Sequence, residues 1–391
     1  MKVTFRSDTD SDFAELERYL AHGAFGGLPD AWLHQAQQDI KRLHSVIASM
    51  ARRQPWMSPK MRKEAIKFGD VHLPTRYDSP MQFRLLEGLV IRIKEATQSM
   101  GIEVTDFPHC ACIPTGLVNA RAVLLPTVDR PFLLFDSELF LYCHLFAKAF
   151  ARCLPVLRRG KKVSLSIELD KVEKRLASSP DLLERFRDLL HTYATTGSTS
   201  RSQQYDPEAD YVPLLDVLRD GMELFVVAHE FGHVKAGHLS ELLAHLSMSA
   251  EELGVGDSSH RQEHEADFLG LVLTLQAMAN SGFDAALSYV GIELFFISLE
   301  LAERARYTVE HGSDAGYVEV SSVTHPSASE RRKFLRGSLS LFIEDAAQVE
   351  NACNLAERYG EVANLLWVAT RTANPSLERA SSRKPLVPRS G

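Results

Sequence analysis

Apolar residues recur at steps of three and four along most of this chain, which predicts a succession of helices. From 28 to 54, Leu33, Ala36, Ile40, Leu43, Ile47 and Met50 share one face; 10–24 has the same spacing, and 80–100 repeats it through Leu85, Leu89, Ile93 and Ala96. The period changes at Gly101. Val118–Leu125 and Pro131–Phe135 read as strands joined by the turn Pro126-Thr127-Val128-Asp129-Arg130. A helix then runs to Cys153, charged helical segments fill 165–195, and Thr195–Asp210, rich in Ser, Thr, Gly, Gln and Asp, reads as a mobile loop or linker. Further helices follow through the 220s and 260s, and Leu341–Arg371 forms a closing amphipathic helix.

This order of elements predicts an α+β, mostly helical protein with a small antiparallel sheet. The linear divisions are a helical region over 1–101, a main domain over 102–340 with an insertion near 157–210, a closing helix over 341–372, and a tail over 373–391. The tail, with Pro375, Pro385 and Pro388, reads as disordered. Its Leu386-Val387-Pro388-Arg389 resembles a thrombin cleavage site and is assigned no function.

The chemistry concentrates in His229-Glu230-Phe231-Gly232-His233, an HExxH motif preceded by the apolar run Leu224-Phe225-Val226-Val227-Ala228. Histidines at i and i+4 lie one above the other on a helix face, so both imidazoles can reach one Zn²⁺. Glu230 lies beside them, where it can take a proton from a water that the metal acidifies. A catalytic zinc normally takes a third protein ligand. Thirty residues after His233, Glu263 and Asp267 stand at i and i+4 on a second helix. One carboxylate can bind the metal, and the other can accept the free ring N–H of a ligand histidine. Glu263 is the favoured ligand. His260 and His264 flank it and remain rivals, His238 lies one residue short of a third-histidine spacing, and Glu265 should face elsewhere on the helix.

The pairing of an HExxH helix with an ExxxD helix resembles the gluzincin metallopeptidases, in detail the family of the CAAX prenyl endopeptidase and the heat-shock protease HtpX. The likeness extends to Gly232-His233-Val234-Lys235-Ala236-Gly237-His238 and to Ala266-Asp267. Thr324-His325-Pro326-Ser327 followed by Arg331 is similar to that family's HPxxxxR segment, and Asn119-Ala120-Arg121-Ala122-Val123 to its NAxA strand beside the active-site cleft. The resemblance covers roughly 115–155 and 210–340. It implies a zincin-like catalytic domain and a zinc endopeptidase acting on protein or peptide substrates, with metal on His229, His233 and Glu263, Asp267 behind them and Glu230 as general base. It also implies a transition-state donor at His325, for which capping a helix near Pro326 is an equal alternative. Asn119 and Ala120 would bind substrate as an added strand if their strand is an exposed edge. The phage-exclusion Lit-type peptidases offer a second resemblance within enzymes. A different class is a zinc-containing regulatory or sensor protein without activity, against which the intact Glu230 argues.

Composition narrows the setting. Hydrophobic residues make up 45% and charged residues 24% of 391, enough for a sizeable core. A net charge of −7 argues against a nucleic-acid or anionic-membrane partner. Five cysteines, at 110, 112, 143, 153 and 353, make an odd set that suits a reducing cytoplasm. In His109-Cys110-Ala111-Cys112 no matching second half exists, so small residues near a strand are the better reading. Met1–Asp8 turns polar at once, without the apolar core of a secretory signal. The most apolar stretches, Phe132–Leu157 and Ala285–Ala302, are broken by Asp136, Glu138, Lys148, Arg152, Glu293 and Glu300, so no membrane span is expected. Carboxylate ligands favour zinc over copper.

Overall fold

The computed structural model describes residues 3–23, 29–53, 58, 71–160, 162–237, 255–322 and 325–373. His238 and the tail from 374 onward lie outside the described residues. The chain is mostly helical, with three small sheets among the described residues. It divides into two compact units, Met1–Arg92 with Glu103–Phe140, and Ile93–Ile102 with Leu141–Gly391.

The first unit contains β1 (Val3–Phe5), α1 (Ser11–Ala21), α2 (Pro29–Arg53), β2 (Val71–Leu73), most of α3 (Pro80–Ser99), β3 (His109–Ile113), β4 (Ala120–Val123), β5 (Phe132–Asp136) and the start of α4 (Ser137–Cys153). Asp10 starts α1 by accepting the Asp12 N–H on its side chain at 3.0 Å. Phe13, Leu16 and Leu20 of α1 bury with Trp32 of α2 against Ala111 and Ile113 of β3 and Phe132 and Leu134 of β5. That shared core draws 103–140 into the N-terminal unit. The compact units therefore follow spatial packing and not the linear divisions at 101 and 340.

The expected antiparallel sheet needs correction. β4 and β5 pair antiparallel, Ala120 opposite Phe135 and Val123 opposite Phe132, but β3 pairs parallel to β5 on its other edge, giving the order β3-β5-β4. All five residues of β5 are buried, so both its edges need partners. His109-Cys110-Ala111-Cys112 supplies one of them as a strand. A second parallel pair, β1 with β2, is likewise absent from the sequence reading. Asp78 is fully buried and ties the turn before α3 to β3, accepting from Thr75 N–H at 2.9 Å, Thr75 Oγ1 at 2.7 Å and Cys112 N–H at 2.6 Å.

The second unit continues α4 into the hairpin β6 (Val156–Arg159) and β7 (Lys162–Leu165), then α5 (Leu169–Ala177), α6 (Pro180–Thr196), α7 (Val212–Lys235), α8 (Val255–Asn280), α9 (Ala285–His311), α10 (Ala328–Ser338) and α11 (Ala346–Ala373). The closing helix thus starts at Ala346, after a 3-10 turn over Leu339–Leu341. α7 packs chiefly on α8 and α9, and α11 on α9, α6 and α5. Trp367, Tyr142, Tyr289, Phe146, Phe150, Phe186, Phe225 and Phe231 are among the largest fully buried side chains of this unit.

One expectation changes here. The Thr195–Asp210 stretch is irregular but fastened: Lys148 Nζ donates to the Tyr205 carbonyl at 2.6 Å, and the cationic groups of Arg185, Lys148 and Arg152 lie 4.2, 4.4 and 5.5 Å from the Tyr205 ring centre. Its polar composition hid the one aromatic that anchors it. α9 is long and apolar enough to cross a membrane by length and composition, and 78% of its most apolar window is buried inside the protein.

Candidate metal centre

α7 begins after Tyr211 with a proline in its first turn, where a missing N–H costs nothing. From Gly221 to Gly232 every residue is buried, so the helix runs through the core and its register is fixed on all sides. α8 crosses it at very short range. A Cβ on Gly232 would meet Ala266 Cα and O at 3.0 Å, and one on Gly270 would meet the His229 backbone at 3.3 Å. These small residues let the two backbones approach until carboxylates on α8 reach imidazoles on α7. Gly232→Ala would ordinarily strengthen a helix by about 1 kcal/mol. Here the neighbours are Ala266 backbone atoms that cannot rotate away, so a net loss of about 1–2 kcal/mol is expected, read as a lower urea midpoint.

At the crossing, the ligand atoms of His229, His233 and Glu263 all lie within 4.8 Å of one another. His229 Nε2 and His233 Nε2 are 3.1 Å apart, their rings perpendicular. His233 Nε2 is 3.3 Å from Glu263 Oε1, and His229 Nε2 is 3.6 Å from Glu263 Oε2. A tetrahedral zinc with bonds of about 2.0–2.1 Å separates its nitrogen ligands by about 3.3 Å.

Three observations test whether a divalent cation fits. Asp267 Oδ1 lies 3.0 Å from His229 Nδ1, so the ring proton sits on Nδ1 and the Nε2 lone pair turns toward His233 and Glu263. Glu263 Oε2 is buried with no hydrogen-bond partner among the described residues. Glu230, Glu263 and Asp267, all buried, face the guanidinium of Arg331, which with neutral imidazoles leaves an excess of two negative charges that a divalent ion cancels. The residues fit such an ion.

The two carboxylates on α8 are held ionised, as cation binding requires. Burial alone would raise the Glu263 pKa, but the hydrogen bond from His233 and the charges of His229, Arg331 and His325 outweigh it and hold the carboxyl well below the usual range. Burial likewise opposes ionisation of Asp267, and Arg331 together with His229 reverses it. For His229, burial favours the neutral ring but the Asp267 carboxylate overcomes it, raising the pKa.

Arg331 was legible in the sequence only as a motif position, with no role. It donates to Asp267 through Nε at 2.8 Å and Nη2 at 2.5 Å, sits 3.3 Å from Glu263 Oε2, and lies 4.8 Å over the Phe296 ring. The HPxxxxR likeness marked its position, but nothing local to α10 said what its side chain would pair with. Arg332 and Arg336 on the same helix turn instead to Glu293 on α9. Asp267→Ala would therefore do more than free His229 to rotate. It would strip the counter-ion from a buried guanidinium, for which a stability loss of about 3–5 kcal/mol is expected, together with a roughly 10–100-fold loss of zinc affinity. Asp267→Asn, keeping the size and one acceptor, should recover part of both in calorimetric unfolding and zinc titration.

The other candidates fall into place around this group. His260 Nε2 bonds the Ser322 carbonyl at 2.9 Å, His264 stacks on Phe334 at 4.4 Å between ring centres, and Glu265 pairs with Arg261 at 3.4 Å; none joins the cluster. His325 Nε2 is 3.4 Å from Glu263 Oε1 at a rim position, its side chain 58% exposed. The cap of α10 belongs to Ser327, whose capping box with Glu330 is complete, so His325 is not the cap. Asn119 and Ala120 belong to the first unit, on and beside the edge strand β4, whereas the cluster lies wholly in the second. Compared with known proteins, the chain matches no family model, no curated protein and no solved structure.

Proposed function

We propose that this chain is a zinc-dependent endopeptidase with a zincin-like pair of catalytic helices, acting on protein or peptide substrates in the cytoplasm. The observation that carries the reading is the convergence of His229, His233 and Glu263 within 4.8 Å, with the carboxylate of the intervening Glu230 on the same buried helix. His229, His233 and Glu263 would hold the ion, and the resemblance of the two helices to gluzincins supports the assignment. Zinc at such a site supplies Lewis acidity that lowers the pKa of water and polarises a carbonyl.

The chain's own groups do the rest. Glu230 takes the proton of the attacking water and returns it to the leaving amine. Asp267, fixed by Arg331, keeps His229 in the tautomer that presents Nε2 to the ion. His325, at the rim 3.4 Å from Glu263 and not the cap of α10, would donate to the developing oxyanion. The test is mapping of new protein N-termini in cells expressing the wild type or Glu230→Gln. Cleavages present only with the wild type are expected, and identical sets in the two would sink the peptidase reading in favour of a zinc-containing regulator.

A further inference from the structure

Between α9 and α10, residues 317–322 alternate half-buried and exposed at six successive positions, with Val318 74% and Val320 75% exposed. A period of two is the exposure pattern of an extended chain. The half-buried set is fastened from behind. Tyr317 packs edge-on to Tyr307 at 5.7 Å, Glu319 Oε1 accepts the Ser329 N–H at 3.1 Å, and the Ser321 hydroxyl bonds the Glu330 carboxylate while accepting the Ser327 N–H at 3.0 Å. At the far end Ser322 N–H donates to the His325 carbonyl at 2.9 Å, and the Ser322 carbonyl accepts from His260.

The backbone groups of Val318, Glu319, Val320 and Ser321 contrast with this. They make no hydrogen bond to another described residue. An extended run with open N–H and C=O groups and two bare valines is the profile of an edge strand, which proteins normally cover or charge. Ser322, next to this run, is hydrogen-bonded to His325, whose ring is 3.4 Å from Glu263.

We infer that residues 318–321 are a docking edge for an extended polypeptide, which adds as a β-strand, sets apolar side chains at alternate positions on Val318 and Val320, and leads its chain toward His325 and Glu263. The occupant's identity as substrate rests on the peptidase reading; the edge itself rests on the unpaired backbone and its continuity with the metal-side rim. Strand addition draws affinity from main-chain hydrogen bonds and selects only every second side chain.

The test is equilibrium binding of a fluorescent peptide about ten residues long, with valine alternating with serine, to the full-length zinc-loaded Glu230→Gln chain. Two derivatives carry N-methyl groups on alternate backbone nitrogens, one in each register. One register should weaken binding by at least about tenfold and the other by less than about twofold, since a bound strand offers only every second N–H to its edge. Val318→Ser with Val320→Ser, both exposed positions, should lower affinity for the valine peptide and not for an all-serine one. Equal effects of the two methylated registers, unchanged affinity in the double variant, or no binding would each overturn the inference. So would concentration-dependent dimers lost in the double variant, which would assign the edge to a second copy of the chain. Register-dependent binding without any cleavage by wild type removes the peptidase reading and leaves the edge standing; cleavage without register dependence removes the edge alone.

Discussion

Peptide hydrolysis should fall by at least about 10²-fold in Glu230→Gln, while zinc content and thermal stability stay at wild-type values. The substitution keeps the side chain's size and leaves His229, His233 and Glu263 unaltered. An amide cannot take the water's proton, so the loss falls on turnover and not on the fold. The buried guanidinium of Arg331 keeps its Asp267 partner in the variant. Turnover by a fluorogenic peptide assay, zinc by elemental analysis and melting by calorimetry measure the three quantities separately. Hydrolysis by Glu230→Gln at the wild-type rate would end the case for this carboxylate as the base.

Zinc itself should be lost from His229→Ala and His233→Ala, and bound at least about tenfold more weakly by Glu263→Ala, while His264→Ala keeps it. The geometry makes the contrast sharp. Glu263 reaches both histidines within 3.6 Å, whereas His264, its neighbour in sequence, is turned about a third of a helical circle away and lies against Phe334. Removing Glu263 also removes a carboxylate that faces Arg331, so part of its effect should appear as altered stability. Competition with a chromogenic chelator gives the affinities. Full zinc binding by Glu263→Ala would transfer the third position to another residue.

The helical character of the chain, the faces of α2 and α3 and the i, i+4 spacing of both candidate ligand pairs were all legible in sequence, because a helix's geometry is set by neighbours three and four residues away. Period and spacing are local quantities. The antiparallel β4–β5 pair was legible for the same reason, its strands following one another closely in sequence. Its partner β3 was not: His109–Ile113 shows no alternation, and what makes it a strand is the buried free edge of β5, about twenty residues further on. The assignment of 103–140 to the N-terminal unit likewise depends on Phe13 and Leu16 meeting β3 and β5 across a long stretch of chain.

At the candidate site the sequence by itself determined which residue types stand one helical turn apart: His229 above His233, and Glu263 above Asp267. It left Glu263, His260 and His264 as rivals, because a helix pattern does not say which face meets a second helix. The tertiary structure decided that. Gly232, Ala266 and Gly270 let α7 and α8 touch backbone to backbone, and this close crossing selects the α8 face that carries Glu263 and Asp267. It also gave Arg331, which the HPxxxxR likeness had marked only by position, its partners: carried between α8 and α9, the side chain lies on Phe296 and pairs with Asp267 at once. Burial then turns that pairing into chemistry, because charges shut away from water must be matched where they stand.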